Sequence, residues 1–305
     1  MDTKDGALRH TEPASITEIT TEEVSECGLK NALRGIPAQQ IHIFLKTWNV
    51  LEILDETSVW MNSLPCPYLA FLNTSPQQII DFEAVQTPGI RKQYIESLQI
   101  LIIKLPFKAQ EVVTEHISYR LRRKAVLMGD VDEELGGTGS TTYRSTNTIF
   151  CNTCKEADAG IIPHQRRPGP HGWPTIIFES AVSESLERLH EDARWWLTQN
   201  NQEVHAVLLA HIFRAEQIID LEVWRILPIK CEGASVGSDA QRMPQIDNQL
   251  RINCSTFPHT ISGTVPFFVI GFKDLVLRDK TAGEEDFFLD FLDIQSIATL
   301  FRVSM

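Results

Sequence analysis

Two short, continuously apolar runs with a helix-length amphipathic stretch between them constrain this chain most. The runs are TIIFES (175–180) and EVHAVLLAHIF (203–213). A wholly apolar run of strand length marks a strand covered on both faces. Between them Leu186, Leu189, Ala193, Trp196 and Leu197 recur on one helical face, Ser183 suits the N-cap, and Asn200-Asn201 closes the helix. The pattern predicts a central sheet with TIIFES inside it, EVHAVLLAHIF beside it, and Ile177 and Val207 buried.

The flanking segments extend this αβ order. Val112, Val113, Ile117, Leu121 and Leu127 predict a helix over 106–128, ending in the basic run RLRRK (120–124). GDVDEELGGTG (129–139) is a Gly-rich polar loop. STTYRSTNTI (140–149) and KEADAGIIP (155–163) suit strands, and HQRRPGPHGWP (164–174) must be a loop. QIIDLEVWRIL (217–227) alternates as a half-buried strand, 231–264 reads as loop, VPFFVIGFKDLVL (265–277) as a strand or strand pair, and 283–301 as an amphipathic terminal helix. Mixed α and β elements of this kind predict a central mixed sheet flanked by helices, an α/β (α+β) fold.

Residues 1–30 are rich in Asp, Glu, Ser and Thr and predict a disordered acidic tail. Residues 31–105 read as a helical N-terminal extension: apolar positions from Ile41 to Leu54 fall at helical spacing, and Ser75-Pro76 suits the start of a second helix. Residues 106–305 then form the α/β domain.

The formal net charge is −12 with 43% hydrophobic residues. Such a surface repels phosphate backbones at long range, so contact with nucleic acid requires a local basic patch. Arg120, Arg122, Arg123 and Lys124, with Arg166 and Arg167, are the candidates; the plainer reading is a solvated helix end. No stretch is apolar and long enough to span a membrane, and the first residues do not read as a secretory signal. The six scattered cysteines fit a reducing, intracellular setting, cytoplasmic or nuclear. Cys151, Cys154, His164 and His171 are zinc-ligand types at irregular spacing; two reduced cysteines fit them better. No Walker-type loop and no G-x-S-x-G is present. Trp195 and Trp196, beside Leu197, read as packing residues.

The stretch WPTIIFESAVSESLERLHEDARWWL (173–197), with Asp158 on the strand before it and an apolar strand after it, resembles a set of fungal proteins of the PD-(D/E)XK restriction-endonuclease-like superfamily. The resemblance covers about 108–227. It implies a nuclease-like core in which Asp158 and Glu179 hold Mg²⁺ or Mn²⁺ for phosphodiester hydrolysis, with Glu115 assisting. The superfamily places a lysine two residues after the second acid; here that position is Ala181. Arg188 and Arg194, on the following helix, are the remaining bases. Arginine neutralises phosphate but does not accept a proton. The alternative expectation is an inactive nuclease-like scaffold serving as an interaction or accessory protein.

Overall fold

The computed structural model describes residues 26–60, 66–85, 89–145, 153–169, 172–182, 186–229 and 241–304. In chain order it begins α1 (Glu26–Ala32), β1 (Ile41–Ile43), α2 (Thr47–Trp60), β2 (Tyr68–Leu72), α3 (Pro76–Glu83), β3 (Arg91–Ile95) and β4 (Ile100–Lys104). The long α4 (Lys108–Leu127) follows, then β5 (Gly136–Gly137), β6 (Thr142–Arg144), β7 (Thr153–Glu156), β8 (Ala159–Ile162) and β9 (Ile176–Val182). The last third holds α5 (Leu186–Thr198), β10 (Ala206–Phe213), β11 (Ile218–Pro228), β12 (Arg242–Asn253), β13 (Thr260–Gly263), β14 (Phe267–Ile270), α6 (Phe272–Val276), β15 (Phe287–Leu289) and α7 (Phe291–Ser304). The chain is therefore mixed α and β, as its pattern predicts.

Two mixed sheets organise it. One runs β1-β2-β4-β3-β7-β6, the other β13-β12-β11-β10-β9-β8-β5. In the second, β9 and β10 are parallel, with Ile177 opposite Val207, and α5 makes the crossover between them. Both residues are fully buried, as expected. Alternation along β9 sends Ile177 and Ala181 into the cluster that contains Leu189, Ala193 and Trp196 of α5. Ile176, Phe178 and Val182 enter the cluster that contains Val113, Ile117 and Leu121 of α4. The strand is thus sandwiched between two helices, which is why its sequence is apolar on both faces.

Several expectations are corrected. Residues 31–105 are not a helical extension: they contribute four strands to the first sheet, and β3 pairs with β7. The run Ile100–Lys104 is wholly buried and marks one of these strands. The second helix start does hold, for Ser75 and Gln78 form a capping box at α3. The segment 155–163 is two strands in two different sheets. The stretch 231–264 contains β12 and β13, a largely polar ribbon whose exposed faces leave no apolar alternation to read. Within 265–277 one strand is followed by α6, and within 283–301 a short strand precedes α7. Glu26 to Lys30 belong to α1; residues 1–25, Cys151, His171 and Ser183 lie outside the described residues.

Close approach dictates one glycine. Gly35 has φ +75°, and a Cβ there would meet the backbone nitrogen of Arg188 at 2.7 Å. Only glycine lets the loop after α1 lie against the first turn of α5.

Candidate functional site

The chain passes from one sheet to the other through Ala157 and Asp158, between β7 and β8. On the β8 side, the pairing of β9 reaches only as far as Phe178. Beyond it Asp158 takes the place of a neighbouring strand: its Oδ2 accepts the backbone N–H of Ser180 at 2.8 Å and the Ser180 hydroxyl at 3.0 Å. Ser180 faces α4, where its Oγ accepts the Thr114 hydroxyl at 2.9 Å. The adjacent residue, Glu179, points to the opposite face of β9, toward α5, and is 1% exposed.

A lysine from the other sheet reaches both acids. Lys104, the last residue of β4, places Nζ 2.6 Å from Asp158 Oδ2 and 2.8 Å from Glu179 Oε2. The other Glu179 oxygen accepts the indole N–H of Trp196 at 2.8 Å and lies 3.8 Å from Lys155 Nζ. Lys155 in turn pairs with Asp192 at 2.9 Å, as does Arg188 at 2.8 Å, and the Tyr68 hydroxyl donates to Asp192 at 2.9 Å. Three carboxylates, Asp158, Glu179 and Asp192, thus meet three cations, Lys104, Lys155 and Arg188.

Buried charges persist only when paired in this way. Burial opposes the Lys104 ammonium, yet the Asp158 and Glu179 carboxylates carry it well above the ordinary lysine range. Lys104 is therefore a permanent cation and no proton acceptor near neutral pH. Burial pushes Glu179 up, partly offset by Lys104 and Lys155. Burial would also raise Asp192, but Arg188, Lys155 and Lys104 outweigh it and hold that carboxyl below the usual range.

Beside this cluster lies an open cleft of about 490 Å³. One wall is a single face of α4, carrying Glu111, Glu115 and Arg122; Arg91 at the start of β3 and Asp158 also line it. Asp158 and Glu115 therefore share a cleft. Glu179 lies behind Asp158, inside the core, and shares Lys104 with it.

The two arginines expected to contact phosphate are engaged elsewhere. Arg188 is 2% exposed and donates to the Ala32 carbonyl, Gln93 and Asp192. Arg194 pairs with Glu191 at 2.7 Å and lies over the Trp224 ring. Of the basic clusters, Arg120 and Lys124 pair with Asp293 of α7, and Arg167 binds the carbonyls of Trp173, Pro174 and Glu203. Arg123 and Arg166 are exposed, and Arg122 lines the cleft. Trp195 stacks on Trp173 and donates to Thr153, so the tryptophan pair packs as expected. Cys154 is buried in β7, which raises its thiol.

The acids do not fit a resident Mg²⁺ or Mn²⁺ as they stand. The Lys104 ammonium fills the position between Asp158 and Glu179, and Trp196 closes Glu179 from the other side. Among the described residues no group of three or more His, Cys, Asp or Glu side chains converges as a metal site. No helix among the described residues is long and apolar enough to cross a membrane. No protein-family model, curated protein or solved structure matches the chain.

Proposed function

We propose that this chain is a nuclease-like scaffold of the PD-(D/E)XK kind whose acidic pair is neutralised from within, and that it works by binding as an interaction or accessory protein rather than by cutting phosphodiesters. The observation that carries this reading is the bridge from Lys104 to both Asp158 and Glu179. A tethered ammonium takes the place a divalent cation would need, and it does so inside a cluster whose charges already balance. A free cation would have to displace a neighbour that cannot diffuse away.

The test is direct. Purified full-length chain is incubated with single- and double-stranded DNA and RNA in Mg²⁺ or Mn²⁺, and its Tm is followed across the same metal series. The reading expects no cleavage above background and no metal-dependent rise in Tm. Cleavage that disappears in Asp158→Asn would overturn it.

One observation favours the hydrolytic reading. Asp158 and Glu115 line the same open cleft, and Lys104, bonded to Asp158 from the buried side, supplies the amine that Ala181 does not. On that reading Lys104 would steady charge on a phosphate, and Glu115→Gln would abolish cleavage while leaving the Tm unchanged.

A further inference from the structure

The cleft beside α4 has a charge pattern that the buried cluster does not explain. Glu111, Thr114, Glu115, Ser118, Tyr119 and Arg122 lie at alternating spacings of three and one, so they form one continuous helical face. Arg91 and Asp158 add charge from the facing elements. Ion pairs absorb many charged side chains in this molecule, including Arg120, Lys124, Arg194, Arg251 and Arg278. Within the cleft, Arg91, Arg122, Glu111 and Glu115 take part in none of the ion pairs found among the described residues. Two guanidinium groups and two carboxylates thus share a concave surface of ligand size without meeting one another.

We infer that the cleft is a binding site for a small zwitterion, a molecule with an anionic group at one end and an ammonium at the other. The inference rests on the reading that this cleft binds rather than cuts. A simple anion that reaches Arg91 and Arg122 is repelled by Glu111, Glu115 and Asp158. A simple cation that reaches the glutamates is repelled by the arginines, with Lys104 behind them. Only a ligand carrying both signs matches both sets, so the mixed lining selects by exclusion as well as by attraction. Arg122 lies seven residues beyond Glu115 on α4, which is about 10 Å along the helix axis. A ligand that reaches both residues should therefore carry its charges on a chain of several atoms. Arg122 takes a carboxylate or a phosphate through its forked donors. The glutamate end takes a primary ammonium.

Isothermal titration of the full chain at low salt tests this with ω-amino carboxylates of four to eight carbons, with phosphoethanolamine, and with hexanoate and hexylamine as singly charged controls. At least one zwitterion should bind about tenfold or more tighter than either control, the gain expected when two charge-assisted contacts form together. Arg122→Gln and Glu115→Gln should each remove most of that gain, and both variants should keep the wild-type Tm because these side chains hold no ion-pair partner among the described residues. A carboxylate preference and a phosphate preference would identify the anionic end. Equal binding of hexanoate and the zwitterions, or no binding by any probe at millimolar concentration, would overturn the inference. Neither result bears on the nuclease assay, which reads cleavage and metal response, so the two ideas fail separately.

Discussion

Trp196 donates its indole N–H to Glu179 at 2.8 Å, joining the buried inner face of α5 to the central strand β9. This bond satisfies the carboxylate oxygen that Lys104 does not reach. Trp196→Phe keeps most of the packing and leaves that oxygen without its neutral donor. The expected loss is about 1–3 kcal/mol of stability, measured by urea unfolding. A loss near zero would mean that Lys155, at 3.8 Å, closes in and replaces the indole.

Removing Lys104 should have two effects. Lys104→Met leaves Asp158 and Glu179 facing each other without their shared cation, and breaking a buried pair this way costs about 3–5 kcal/mol. The vacated position should then accept Mn²⁺, so the variant's Tm should rise with metal while that of the wild type does not. The triple change Lys104→Met, Asp158→Asn, Glu179→Gln should recover part of the stability and lose the metal response. Differential scanning fluorimetry across a Mn²⁺ series measures all three proteins.

Ile177 is fully buried between β10 and the inner face of α5. Ile177→Ala should cost about 2–5 kcal/mol, depending on how far Ala193 and Trp196 relax into the space. Chemical denaturation gives the number. A cost below about 0.5 kcal/mol would be that of a surface site.

A separate ion cluster gives a pH dependence away from the cleft. Arg278 binds Glu284 and Glu134, both at 2.6 Å, and its hydrogen bonds hold the Glu284 carboxyl down to about 2. Since the folded value lies below the unfolded one, this contribution is present above the ordinary glutamate range and is lost as pH falls toward 2. Arg278→Gln should raise Glu284 toward the ordinary range, with Thr281 still holding it somewhat low, and flatten the stability profile below about pH 4.5. NMR titration of the Glu284 carboxyl carbon in both proteins checks the sign.

The strands β9 and β10 and the helix α5 were legible because full burial on both faces leaves a continuous apolar run, which hardly any other environment produces. The assignment of Asp158, Glu179 and Glu115 came from resemblance, since acids at such separations are common. Lys104 was missed for a physical reason: it lies 75 residues from Glu179, and nothing local states where a strand from another sheet will end. One faint signal was present. A lysine closing the run Ile100–Ile103 must either reach solvent or find buried acid, and the run is buried throughout. The ribbon β12–β13 escaped because most of its side chains remain exposed and carry no period.

The crossing of the chain between its two sheets at Ala157 and Asp158 has a practical consequence for anyone who trims this protein. Lys104, from β4, fastens that crossing to β9, while β3 supplies the strand against which β7 pairs. A fragment beginning after residue 105 would keep Asp158 and Glu179, yet it would lose the cation they share and most of one sheet. Such a shortened protein, used as bait or antigen or crystallised for convenience, would display two carboxylates stripped of their shared cation and an open strand edge. Metal uptake or self-association measured on it would describe the fragment, not the parent molecule.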